Sequence, residues 1–211
     1  GLNLDQIQET QDEFVIGAMA TLRQFETHEG LNAYFDHAAQ ESVRHIVGVQ
    51  FRNCATMGGS VWLRAGFSDP LTLLLAMDCT VELYQGDGKL VQIPIAEFCR
   101  QKPDNSILTA VHIQKTGRKI AYQSFRNTET DFPVLTAAVS VKDGKYCAAV
   151  GARPMRAREV YADNIPELIE QAKELPYQNN IRASAEYRRM LSGVLIQRAA
   201  DELERIGTNG N

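Results

Sequence analysis

Arg52-Asn53-Cys54-Ala55-Thr56-Met57-Gly58-Gly59-Ser60 is a run of small and hydroxyl residues around an adjacent glycine pair. It is entered from apolar Ile46-Val47-Gly48-Val49 and left through Val61-Trp62-Leu63. Backbone N–H groups approach an anion closely only where side chains are absent. Glycine also adopts the positive φ values that aim successive amides at one point. With a Thr before the pair and a Ser after it, the run has the chemistry of a pyrophosphate cradle. The same pair serves tight turns and bulges, and on local residues alone a structural turn is the stronger reading.

Outward from this stretch, 211 residues suffice for one large domain or two small ones. The apolar share of 44% and charged share of 23% are those of an ordinary globular chain. A net charge of −4 argues against a nucleic-acid surface. No apolar run approaches the roughly 20 residues of a membrane span. Cys54, Cys79, Cys99 and Cys147 lie far apart, without metal-ligand spacing, and read as small buried hydrophobes in a reducing cytoplasm. The chain opens at Gly1 with no initiator Met and no signal peptide, as a fragment or processed product would.

Upstream, Phe14 to Ala18 reads as a short buried strand, and Thr21 as the N-cap of a helix ended by Gly30. Leu31 to Val43 continues at helical spacing, and His28, His37 and His45 there read as surface or core-edge residues. Downstream, Ser68-Asp69-Pro70 is a helix start, and Leu71 to Met77 reads as core. Thr80–Tyr84 and Leu90–Ile93 form a hairpin across Gly86-Asp87-Gly88. After Lys102-Pro103-Asp104-Asn105 the texture changes to strands (107–113, 120–125, 134–141, 146–150) and then two helices, capped by Asn164 and Ser184. Tyr187, Leu191, Val194, Leu195, Ala199 and Leu203 form the stripe of the last helix. The reading is an α+β chain of two units, 1–104 and 105–211.

No nucleophile–base set, Rossmann fingerprint or P-loop lysine is present. Glu41, Glu97 and Glu129 read as solvated. What remains is the glycine stretch, a neighbouring Asp69 able to accept from a polyol hydroxyl, and Gly17-Ala18 ending a strand. Together they suit a protein that holds a phosphate-bearing cofactor and leaves the chemistry to it.

At this point the sequence resembles the FAD-binding medium subunit of the molybdenum hydroxylases, the xanthine dehydrogenase and carbon monoxide dehydrogenase family. The resemblance runs in family order through Ile16-Gly17-Ala18, Gln50 to Gly59, Ser68-Asp69-Pro70-Leu71, Leu73 to Asp78 and Ile107-Leu108-Thr109. It continues through Asp131-Phe132-Pro133-Val134, Pro154 to Ala157 and, most specifically, Arg182 to Leu195. It implies a vanillyl-alcohol-oxidase-like FAD-binding domain followed by a small antiparallel sheet packed with helices. It also implies a cytoplasmic oxidoreductase in which electrons pass from 2Fe–2S clusters through FAD to an acceptor such as NAD. The substrate, a purine or other N-heterocycle, would be hydroxylated on a molybdopterin-binding large subunit, with the 2Fe–2S clusters on another partner. By the same resemblance, Arg52-Asn53 and Thr56-Met57-Gly58-Gly59-Ser60 hold the pyrophosphate and ribityl region. Asp69 bonds ribityl or flavin groups, Leu108 lies near the ring, and Gly17-Ala18 line the adenine channel.

Three departures accompany it. Ser60 stands where the family has Asn or Asp, and Gln123 stands where xanthine dehydrogenases carry a Lys near the flavin. The family's N-terminal segment with a second glycine loop does not precede Gly1, so FAD affinity is expected to need that segment from elsewhere. These departures motivate a rival, a structural or assembly subunit that keeps the fold without flavin. A self-contained flavin oxidase is a third reading.

Overall fold

The computed structural model describes residues 2–208, with Gly1 of the opening tetrapeptide outside them. In chain order the elements are β1 (Ile7–Glu9), β2 (Glu13–Gly17), α1 (Leu22–Thr27), α2 (Glu29–Tyr34), α3 (Ala38–Val43), α4 (Val49–Arg52), α5 (Met57–Trp62) and α6 (Asp69–Leu75). They continue with β3 (Cys79–Tyr84), β4 (Leu90–Pro94), α7 (Ile95–Arg100), β5 (Ile107–Gln114), β6 (Lys119–Phe125), β7 (Leu135–Lys142), β8 (Lys145–Gly151), β9 (Arg158–Ala162), α8 (Ile165–Lys173) and α9 (Ala185–Thr208). This is the α+β arrangement expected from the sequence.

Two antiparallel sheets organise the chain, in orders β1-β2-β5-β3-β4 and β6-β7-β8-β9. Strand β5 pairs with both β2 and β3. The sheets therefore part between Gln114 and Lys119, not at residue 104. Sequence places a strand after a polar linker but says nothing about which distant strand it pairs with. The connection is tied down by Asp78, which accepts from Thr116 (2.7 Å) and Arg118 (2.9 Å).

The second sheet is covered on both faces, which explains its alanine-rich strands. Ala138, Ala149 and Tyr122 belong to the core shared with the first sheet and its helices. Their neighbours Ala121, Ala137, Val139, Ala148 and Val150 face the core built with α8 and α9. A strand buried on both faces loses the alternation of polar and apolar residues. Helix α6 carries the first core onto this sheet. Every one of its residues is buried, and the Thr72 hydroxyl meets that of Thr136 at 3.1 Å.

Two local expectations change. The helical run from Leu31 to Val43 is two helices, broken where Asp36 and His37 take positive φ, and Gly30 lies inside α2 instead of ending α1. No Gly or Pro marks that break. On α9, Leu191, Leu195, Ala199 and Leu203 are buried as expected, but Tyr187 and Val194 are part-exposed. Arg188, Ser192 and Ile196 take the buried positions between them.

Candidate functional site

Thr56 takes an extended φ and caps α5, its Oγ1 accepting from the Gly59 amide at 3.2 Å. The glycine pair thus forms the first turn of a short helix, and neither glycine takes a positive φ. Their smallness has another cause. A Cβ on Gly58 would stand 2.6 Å from the Ala18 carbonyl oxygen, whereas one on Gly59 would meet only the Thr56 Oγ1, at 3.4 Å. Nor do the amides stand free. Those of Met57, Gly58 and Ser60 donate to the carbonyls of Ala20, Ala18 and Thr56. The cradle of converging, unoccupied amides expected from the glycine pair is not what the chain builds.

What α5 does build is one wall of a cavity of about 420 Å³, within the range of small-molecule sites. Ile46, Val47, Phe51 and Leu63 give it apolar surface, and Thr56, Gly59, Ser60 and Asp69 add the polar groups of this side. The opposite wall comes from the segment after β6, from Arg126 to Pro133. There Phe132 sits edge-on to Phe67, ring centroids 4.7 Å apart. The Arg182 guanidinium fixes Asp131 with two bonds, of 2.7 and 3.1 Å, and holds its carboxyl below the usual range.

Asp69 joins the two walls. Ser68 caps α6, with Pro70 in its first turn, and this places Asp69 at the start of the helix, fully buried. Its Oδ1 accepts from the Tyr122 hydroxyl at 2.6 Å and from Arg126 at 2.7 Å. Burial lifts the Asp69 carboxyl above its ordinary range, outweighing the opposite pull of Arg126 and Tyr122. Burial and the Asp69 charge likewise push the Tyr122 hydroxyl well up, so it stays a proton donor. Arg126 also donates to Ser124 Oγ at 2.8 Å, but its Nε is buried with no acceptor. His45, on the same cavity, is held below its ordinary value by burial and then by Arg44 and Arg126.

Four of the residues expected at a cofactor site line this cavity: Thr56, Gly59, Ser60 and Asp69. The others do not. Met57 and Gly58 pack behind the wall, Gly58 against Ala18. Gly17 and Ala18 close the end of β2, where a Cβ on Gly17 would strike the Leu4 carbonyl. The Arg52 guanidinium is committed to Glu26, at 2.8 and 3.0 Å, and to the Ile46 carbonyl at 3.0 Å. It is therefore a structural residue. Asn53 is exposed at the end of α4, Leu108 is buried in the first core, and Gln123 donates to Glu202 of α9 at 2.7 Å. Sequence reading missed Arg126, His45 and Phe132. The block Asp131-Phe132-Pro133 carried the only signal, as part of the family resemblance.

A further polar cluster lies on the other face of the first sheet. His112 stands 3.1 Å from Glu13 and 3.6 Å from Glu82. The three side chains come from three strands, β5, β2 and β3, so no local motif announces them. Among the described residues no group of three or more His, Cys, Asp or Glu side chains is arranged to hold a metal, and no helix is long and apolar enough to cross a membrane.

Comparison with known proteins agrees with this architecture. The chain is 29% identical over 202 residues to the protein YgfM of Escherichia coli (strain K12), covering 92% of this chain and 74% of that one. It is 31% identical over 135 residues to aldehyde oxidase 1 of Rattus norvegicus, a match covering 61% of this chain and 9% of that one. Among solved structures, quinoline 2-oxidoreductase from Pseudomonas putida 86 superposes with a TM-score of 0.82 at 18% identity, over 96% of this chain and 78% of that one. Carbon monoxide dehydrogenase from Hydrogenophaga pseudoflava superposes with a TM-score of 0.82 at 18% identity, over 94% and 77%. The sequence profile described as the FAD binding domain in molybdopterin dehydrogenase matches residues 1–116. The chain belongs to this family of FAD-binding domains of the molybdopterin dehydrogenases.

Proposed function

We propose that this chain is the FAD-carrying electron-transfer subunit of a cytoplasmic molybdenum hydroxylase and that the cavity beside Asp69 receives the flavin ring. The observation that carries the site is a cavity with apolar walls and a buried Asp69–Arg126 pair, in a chain of an FAD-binding family. Bound FAD would accept and pass on electrons. In this reading they arrive from 2Fe–2S clusters on one partner subunit and leave to an acceptor such as NAD. A purine or another N-heterocycle is hydroxylated on a molybdopterin-binding partner.

The cavity suits a planar ring better than a diphosphate. Phe51, Leu63 and Phe132 offer apolar contact, while Ser60 and Asp69 offer oxygen acceptors. Ser60 Oγ already donates to the Thr56 carbonyl at 3.0 Å, so it meets the ring as an acceptor. Met57 through Ser60 have no free amide for the phosphates. That last observation favours a second reading, a subunit that keeps the fold without flavin. Titration of the protein with FAD, followed by flavin absorbance after dialysis, separates the two. Retention of near-stoichiometric flavin, alone or with co-expressed partner subunits, supports the proposal, and colourless protein in both preparations removes it.

A further inference from the structure

The side chain of Arg126 is 7% exposed and forms part of the cavity wall. Two of its nitrogens have partners, Ser124 Oγ and Asp69 Oδ1, and its Nε has none. Buried charged groups normally spend every donor. Arg188 does so here, with bonds from all three nitrogens to the carbonyls of Val134, Gln178 and Ala183 and to Asn180. Arg118 and Arg153 also have a buried Nε without a partner, but neither lines the cavity.

The counter-charge bonded to Arg126 is also thin, Asp131 and Glu41 feeling its charge only at longer range. Asp69 meets it through one oxygen only, and the Tyr122 hydroxyl donates to the same atom. Arg52, by contrast, is matched to both oxygens of Glu26. The Arg126 guanidinium therefore keeps an incompletely cancelled positive charge beside an apolar space, while its unpaired Nε is itself closed off from that space. In low-dielectric surroundings such a charge acts strongly on whatever charge develops nearby.

We infer that Arg126 stabilises the negative charge that a flavin ring in this cavity gains when it is reduced, and so sets how readily this subunit accepts electrons. The inference rests on the FAD reading above. Two electrons and one proton added to the neutral ring leave it an anion, and a fixed cation at the wall favours that form over the oxidised one. Asp69 works against it as the partial counter-charge, so the two residues should shift the ring's preference in opposite directions.

The test uses the intact chain loaded with FAD and reduced by dithionite in equilibrium with indicator dyes. Binding and potential are measured for the wild type, R126K, R126Q and D69N. R126Q is expected to lose about tenfold in its preference for the reduced ring, a potential lower by about 30 mV for a two-electron couple. R126K, which keeps the charge, should stay within about threefold of wild type, and D69N should move the potential upward. A purely structural Arg126 would change melting temperature or FAD affinity without these opposed shifts. FAD-loaded R126Q with the wild-type potential overturns the inference. If R126Q does not fold, a D69N potential equal to wild type overturns it instead. Wild-type protein that takes up no FAD, neither alone nor with co-expressed partner subunits, overturns the flavin reading itself, and the inference with it.

Discussion

The two walls of the cavity are built on opposite principles. On the α5 side almost everything polar is spent: Arg52 on Glu26, and the amides of residues 57 to 60 on oxygens within the chain. On the side after β6, Arg126 has an idle donor and Phe132 is half exposed. A polar group fully satisfied in the folded chain contributes to stability and has little left for a ligand. A buried donor without a partner costs stability, and at Arg126 the charge that carries it lies on the cavity wall. The glycine-rich side therefore spends most of its polar groups on the fold, and the buried charge faces it from the segment after β6.

The largest expected effect tests the scaffold side. Glu26 and Arg52 are both nearly fully buried. E26A strands the Arg52 charge and should cost about 3–5 kcal/mol in chemical denaturation. The same pair predicts an acid limb. Burial alone would raise the Glu26 carboxyl, but its bonds to Arg52 and Arg23 leave it below its ordinary 4.5. A folded value below the unfolded one means the stabilisation is complete above the unfolded value and is lost as pH falls through the folded one. Unfolding midpoints should therefore drop with pH below about 4.5, and the E26Q chain should show a shallower drop. An unchanged slope would mean the pair is not what holds this side together.

Next in size is the glycine that only packs. A Cβ at Gly58 meets the Ala18 carbonyl and Cβ, and backbone cannot swing aside as a flexible side chain could. G58A should destabilise by about 1–3 kcal/mol through overpacking, read as a lower melting temperature. It does not line the cavity, so FAD affinity per folded molecule should be unchanged.

Much of the scaffold was legible in the sequence. Thr21, Ser68 and Asn164 cap helices as their side chains suggest. Asp143-Gly144 turns the β7–β8 hairpin with two positive φ values, as a tight two-residue turn requires. These are local rules. The pairing of β5 with β2, the His112–Glu13 contact and the Asp69–Arg126 contact join residues 57 to 101 positions apart. No spacing rule reaches that far. Gly58 and Gly59 show a subtler limit, since sequence reveals that a side chain is absent but not whether φ, crowding or an opening requires its absence.

On the cavity's other side, Phe132 should affect binding more than stability. It is about half exposed and touches Phe67 edge-on. An aromatic contact of this kind is worth about 0.5–1.5 kcal/mol. F132A should thus weaken FAD binding roughly three- to tenfold by fluorescence titration, with little change in melting temperature. A large loss of stability with unaltered binding would reverse the assignment of roles to the two walls.

The smallest effect distinguishes the two adjacent glycines. A Cβ on Gly59 meets nothing closer than the Thr56 Oγ1 at 3.4 Å, an ordinary contact. Gly in a helix costs about 0.5–1 kcal/mol relative to Ala, and G59A should raise stability by up to that amount. The added methyl group enters the cavity wall, however, so FAD affinity should fall in the same variant that melts later. Opposite signs at Gly59 and a stability loss alone at Gly58 would show that one glycine is kept for the fold and its neighbour for the ligand. If G59A stabilises the chain and leaves FAD binding untouched, the ring does not lie against α5, and its site must be sought on the Arg126 side alone.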